Sequence, residues 1–209
     1  MIKIIHRVNT IKELNALPAA YGVEIDVRGY GDELLLSHEP ISRPEKLDDL
    51  EEYLDNFKHA FIIFNMKEAG YEDRVIDMAK QRKIENYFLL DVEFPYLYRA
   101  TRKDNFRKIA VRYSEAEPIE YVESQIKGGK PLLDWVWIDT NTQLPLNPEI
   151  VERLRPFKTC LVCPERWGRP EDIQKYIYKM KELGFKPNAV MTAKAYVGEW
   201  EKFDSIGLD

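Results

Sequence analysis

Gly22-Val23-Glu24-Ile25-Asp26-Val27-Arg28 sets the plan of this chain. Apolar residues at 23, 25 and 27 alternate with charged residues at 24, 26 and 28, which is the period of an extended strand. Glu24 and Asp26 therefore project from one face, and the apolar residues pack on the other. Two carboxylates buried together are costly unless a counter-charge stands beside them. Arg28, Lys67 or a bound cation are the candidates.

Strand and helix signals alternate outward from this segment. Apolar, β-branched runs of strand length occur at residues 2–7, 23–28, 60–67, 87–92, 108–113, 135–140, 159–163 and 189–192. Residues 34–37 add a short extra strand. Amphipathic stretches with helical spacing lie between most of them, at 47–57, 71–81, 119–126 and 171–183. Pro170 is placed to open the last of these helices and Gly184 to close it. Eight strand–helix units predict an α/β chain with a parallel sheet and outer helices. Closure into a (β/α)8 TIM barrel, as one compact domain over residues 1–209, is the expected fold. An open doubly wound sheet would carry a Gly-rich turn after its first strand, and Arg7-Val8-Asn9-Thr10 is not one.

In a barrel strand alternate residues face inward. Glu24 and Asp26 share that parity. His6 lies at the end of strand one, Asn65 and Lys67 at the end of strand three, Asp91 and Glu93 at the end of strand four, and Asp139 on strand six. The C-terminal rim is where barrel enzymes place their chemistry. His38 follows the extra strand in Ser37-His38-Glu39-Pro40, and Arg7 neighbours His6. Two imidazoles move protons at neutral pH. Two carboxylates hold a hard cation, and an arginine grips a phosphate. These are the groups needed to cut a phosphodiester with one divalent metal. Trp167, after strand seven, is a further rim residue that can stack on a sugar or glycerol backbone. His59 precedes strand three, at the opposite rim, and reads as structural.

At these residues the chain resembles the glycerophosphodiester phosphodiesterase family, part of the superfamily that includes phosphatidylinositol-specific phospholipase C. The family pattern of His-Arg, Asn-Thr, Gly-(apolar)-Glu-(apolar)-Asp-Val and an apolar strand ending in His is met by His6-Arg7, Asn9-Thr10, Gly22 to Val27 and Leu34 to His38. Farther on, Asn65-Met66-Lys67 takes the place of Glu-x-Lys. Pro170-Glu171-Asp172, Leu183-Gly184 and Val190-Met191-Thr192 follow the closing pattern. The resemblance spans the chain and is specific in its first forty or so residues. It implies a metal-dependent phosphoric diester hydrolase of lipid metabolism, acting on a glycerophosphodiester-like substrate. His6 and His38 would be the acid–base pair. Arg7 and Lys67 would bind the phosphate, and Glu24, Asp26 and Asn65 would hold one divalent cation, Mg or Ca, with Mn as a third option. Departures are Val8 for the glycine after His-Arg, Asn65 for a carboxylate ligand, and Ala193 for an aspartate after Thr192. Asp91 or Glu93 can restore the missing charge. The short Glu39–Lys46 connection implies an open pocket and a substrate unlike glycerophosphocholine.

Composition narrows the alternatives. With 209 residues, 44% of them hydrophobic, the chain can bury a sizeable core. A net charge of -5 without a basic stripe argues against a nucleic-acid partner. No apolar run is long enough to span a bilayer, and no signal-peptide h-region opens the chain, so a cytoplasmic protein without membrane insertion is expected. Cys160 and Cys163 form a Cys-x-x-Cys inside an apolar strand with no second pair, which favours packing over redox or metal chemistry. Two other readings stay open. One is a non-catalytic phospho-ligand-binding barrel, favoured by Val8, Asn65 and Ala193. The other is a Schiff-base enzyme using Lys67 or Lys194.

Overall fold

A computed structural model describes residues 1–42 and 46–205. Residues 43–45, within the short Glu39–Lys46 connection, lie outside the described residues. The chain divides into two compact units, Ile4–Arg99 and a second formed by Met1–Lys3 with the chain from Ala100 onward.

The N-terminal unit is built on strands β1 (Ile2–Ile5), β2 (Gly22–Tyr30), β4 (Phe61–Met66) and β5 (Tyr87–Leu90). β2 pairs in parallel with β1 and with β4, and β4 pairs in parallel with β5. All six residues of β4 are buried, as expected of a strand covered on both faces. Gly22 pairs with Ile4 of β1 and Phe61 of β4. A Cβ there would meet Ile4 Cγ1 and Phe61 Cβ, each at 3.0 Å. Between the strands run α1 (Ile11–Asn15), α2 (Leu50–Asp55), α3 (Glu72–Gln81) and α4 (Phe94–Arg102). Thr10 caps α1 by accepting from the Glu13 backbone amide, and its hydroxyl donates to the Glu13 carboxylate.

β2 extends past its partners into a hairpin. Its last residues pair antiparallel with β3 (Glu33–Leu36), Val27 opposite Leu36 and Tyr30 opposite Glu33. The two-residue turn between them uses Gly31 at φ 59°, the backbone region that tight hairpins demand and glycine adopts freely. The extra strand is expected from the sequence; its antiparallel return over β2 is not. That return is what brings Ser37 and His38 back beside Asp26, whose carbonyl accepts from the Ser37 amide at 3.1 Å.

The C-terminal unit holds β6 (Ala110–Tyr113), a small hairpin of β7 (Ile126–Lys127) and β8 (Lys130–Pro131), β9 (Trp135–Ile138), β10 (Lys158–Val162) and β11 (Ala189–Thr192). Its helices are α5 (Ile119–Glu123), α6 (Pro148–Leu154), α7 (Asp172–Glu182) and α8 (Val197–Ser205). α7 starts at Asp172, so Pro170 precedes the helix rather than opening it. Gly184 closes α7 at φ 61°, and the Phe185 amide reaches back to the Met180 carbonyl at 2.9 Å. The β6–β9, β9–β10 and β10–β11 pairs are parallel. In the first unit the strand order is β5–β4–β2–β1, and in the second it is β11–β10–β9–β6. This is the (β/α)8 TIM-barrel plan expected from the alternation of strand and helix signals.

Cys160 and Cys163 are fully buried thiols outside any disulfide. Burial pushes the Cys163 thiol well above its usual range, so packing is the role these residues have. No described helix is long and apolar enough to cross a membrane.

Candidate active site

The site is assembled inside the N-terminal unit, at the C-terminal ends of β1, β2 and β4. Glu24 and Asp26 are almost wholly buried, at 1% and 0% exposure. Three of their four carboxylate oxygens accept a hydrogen bond, and the fourth, Asp26 Oδ1, faces the Lys67 ammonium. Asn65 Nδ2 donates to Glu24 Oε1 at 2.9 Å, and the Arg7 backbone amide donates to Glu24 Oε2 at 2.8 Å. Asn9 Nδ2 donates to Asp26 Oδ2 at 2.8 Å, and Lys67 Nζ stands 2.9 Å from Asp26 Oδ1. Asn9 binds in both directions, because its own Oδ1 accepts from the Asp26 amide at 2.8 Å. The parallel register sets Asp26 opposite Asn65. Of the two side chains considered as counter-charges, Lys67 stands beside Asp26. Arg28 pairs with Glu68 instead, at 2.9 Å.

Arg7 is the hinge of the site. It adopts φ 54°, in the left-handed region that costs a non-glycine residue some stability. That turn sends its amide to Glu24, while its side chain crosses to the second histidine: Arg7 Nη2 donates to His38 Nε2. On the other side His38 Nδ1 meets Glu39 Oε1 at 2.8 Å. Arg7 can only donate and the Glu39 carboxylate can only accept. The neutral His38 tautomer is therefore the one with its proton on Nδ1. Hydrogen bonding from His38 holds the Glu39 carboxyl below the ordinary range. His6 Nε2 lies 3.8 Å from Glu24 Oε2, close enough for an ion pair when the ring is protonated.

Burial, and then the neighbouring Asp26 charge, push the Glu24 carboxyl from its ordinary 4.5 up to about 7. The native state thus keeps this proton where the unfolded chain has lost it. Between pH 4.5 and about 7 the folded form binds more protons, so cation-free stability falls as pH rises through that window. Glu24→Gln is expected to flatten this slope in urea titrations at pH 5, 6 and 7. A variant whose slope matches the parent would dissociate Glu24 from it.

The cluster has the donors of a hard-cation site. Asn65 Oδ1 is a buried oxygen with no hydrogen-bond partner, and it stands with two buried carboxylates that repel each other. A divalent cation on Glu24, Asp26 and Asn65 Oδ1 would relieve both strains. No group of three His, Cys, Asp or Glu residues suited to a metal occurs among the described residues, so the third protein oxygen would be an amide.

The remaining expected residues fall elsewhere. Asp91 and Glu93 are exposed on the lead-in to α4, outside the buried pair. Asp139 and Trp167 belong to the C-terminal unit. Asp139 is buried against the Arg112 guanidinium, and Trp167 is 43% exposed with the Arg166 guanidinium 5.5 Å from its ring centroid. His59 contacts the Leu17 carbonyl at 3.3 Å, and burial lowers its imidazole, in keeping with a structural role. Lys194 is exposed. In that same unit Glu165, unassigned by the sequence reading, accepts from the Thr192 hydroxyl and from the Ala193 amide at 3.1 Å. Glu39, Asn9 and Glu68 are likewise assigned no role in the sequence reading. Asn9 was visible there only as part of a motif.

No family model matches the chain, and no curated protein matches it. Solved structures do. A glycerophosphoryl diester phosphodiesterase from Parabacteroides distasonis superposes over 100% of this chain and 88% of its own, with a TM-score of 0.64 at 12% identity. A glycerophosphodiester phosphodiesterase from Agrobacterium tumefaciens gives a TM-score of 0.63 at 13% identity, over 91% of this chain and 96% of its own. Another Agrobacterium tumefaciens structure, a candidate enzyme of the same description, covers 99% of this chain and 100% of its own, with a TM-score of 0.67 at 11% identity. The chain shares their fold.

Proposed function

We propose that this chain is a phosphoric diester hydrolase of the glycerophosphodiester phosphodiesterase type, acting on a small phosphodiester of lipid metabolism. The observation that carries the reading is one hydrogen-bonded cluster, Glu24–Arg7–His38 with His6, Asn65, Asp26 and Lys67 around it. It stands at the strand ends of a chain that shares the fold of such enzymes.

The chemistry divides among the residues as follows. Arg7 and Lys67 meet the phosphate and neutralise the charge that grows on its oxygens in the transition state. To do so Arg7 turns from His38 Nε2 toward the phosphate, which frees that nitrogen to exchange protons. Of His6 and His38, one takes the proton from the attacking hydroxyl, supplied by water or by the substrate's adjacent carbon. The other delivers a proton to the leaving alcohol as its P–O bond breaks. Glu39 keeps His38 in one tautomer, and Glu24 Oε2 stands 3.8 Å from His6 Nε2. A magnesium, calcium or manganese ion on Glu24, Asp26 and Asn65 would supply Lewis-acid stabilisation of the phosphate.

The test is phosphorus NMR with glycerophosphodiesters, lysophospholipids and glycerol-phosphate-decorated sugars, in each divalent cation and in EDTA. Conversion to a monoester or cyclic phosphate supports the reading. Binding without turnover across the panel would replace it with a phospho-ligand-binding role.

A further inference from the structure

Arg28 shares the parity of Glu24 and Asp26 on β2, yet it touches neither carboxylate in the contacts described above. Its side chain is 12% exposed and extends sideways at the end of the strand. Nη1 donates to Glu68 Oε1 at 2.9 Å, and Nη2 donates to the His38 backbone carbonyl at 2.9 Å. Glu68 is held in turn, since its Oε2 accepts from the Gly29 amide at 2.8 Å. Three segments are thereby tied together: the end of β2, the residue after Lys67, and the loop carrying His38. The tie acts on the His38 main chain, while Arg7 and Glu39 act on its ring.

We propose that Arg28, seated on Glu68, is a positioning residue for His38, fixing its backbone so that the imidazole stays between Arg7 and Glu39. Hydrogen bonds from a guanidinium to a carboxylate and a carbonyl have the planar fork that lysine lacks. Small misplacements of a catalytic group cost up to roughly 100-fold in rate. The inference rests on the phosphodiesterase reading only for its kinetic part.

Two measurements on the full chain test it. The first is kinetic. Arg28→Ala should lower kcat by roughly 10–100-fold with little change in KM. Arg28→Lys should recover part of the loss, and Glu68→Gln should fall between Arg28→Lys and the parent. The second needs no substrate. The chain has three histidines, so nitrogen-15 NMR of the imidazoles separates them. His38 should show one tautomer, protonated on Nδ1, in the parent. In Arg28→Ala it should shift toward a tautomer mixture while His6 and His59 stay in place.

If the parent turns over no phosphodiester, the function reading fails and the NMR result alone decides the clasp. An unchanged His38 spectrum in Arg28→Ala overturns the proposal. So does a change spread equally over all three histidines in an Arg28→Ala protein that is folded by circular dichroism. Where Arg28→Ala does not fold, Arg28→Lys and Glu68→Gln carry the same comparison.

Discussion

His38→Ala is expected to lower turnover by roughly 100- to 10,000-fold while leaving the fold intact. The side chain is 34% exposed and hangs on a loop, so its removal opens no core cavity. What it removes is a ring nitrogen that exchanges protons and a neighbour for Arg7. His6→Ala should lose activity on the same scale. Its ring is more enclosed, at 18% exposure, and sits over the Glu24 carboxylate, so a small stability change accompanies it. The two losses should not multiply in the double variant, because groups that act in one proton circuit fail together. The assay is the phosphorus NMR turnover of the best substrate, with circular dichroism as the folding control. Near-parental turnover in either single variant removes that histidine from the chemistry.

Lys67→Met should have the largest effect on stability. Asp26 is fully buried, and Lys67 is its partner at 2.9 Å. Stripping one partner from a buried pair costs roughly 3–5 kcal/mol, because the remaining charge keeps its desolvation cost. Lys67 is 17% exposed, so the lower end applies, a fall in Tm of roughly 6–12 °C for a chain of this size. The variant also separates the two cationic roles at the site. With the ammonium gone, a divalent cation meets less repulsion at Asp26 and should recover more stability in Lys67→Met than in the parent. Saturation at about 100 times Kd is worth about 2.7 kcal/mol. Thermal melts with magnesium, calcium, manganese or EDTA give the answer. Melts of both proteins that ignore every cation would take Glu24, Asp26 and Asn65 out of the metal role. A parental Tm in Lys67→Met would show that the Asp26 pair contributes nothing to folding.

The residues with strong local periodicity were legible before any coordinates. Glu24 and Asp26 announce themselves because a period of two is set by strand geometry alone. Asn65 and Lys67 follow from the same rule on β4. Where periodicity is short or broken, legibility ends. α1 has five residues and α6 seven, fewer than two full turns, so no helical repeat accumulates in either. α4 begins Phe94-Pro95-Tyr96, and a proline reads as a helix breaker although the first turn tolerates it. Strand ends were read two residues too long at 87–92, 108–113 and 135–140, because β-branched Val92, Ile109 and Thr140 lie just beyond the ladder.

Sequence by itself determined the strand–helix alternation, the face on which the carboxylates lie, and the set of reactive groups at the strand ends. These are consequences of bond geometry and side-chain spacing, which neighbours in the chain impose. Only the tertiary structure decided which donor meets which acceptor. Lys67 rather than Arg28 neutralises Asp26, Arg7 spans from Glu24 to His38, Asn9 locks Asp26, and Glu68 seats Arg28. Those partners are 17 to 41 residues apart. Their meeting depends on strand register, on a hairpin that folds back over β2, and on one left-handed residue at position 7. Long-range pairing of this kind is selected by the packing of the whole sheet, and no local pattern encodes it.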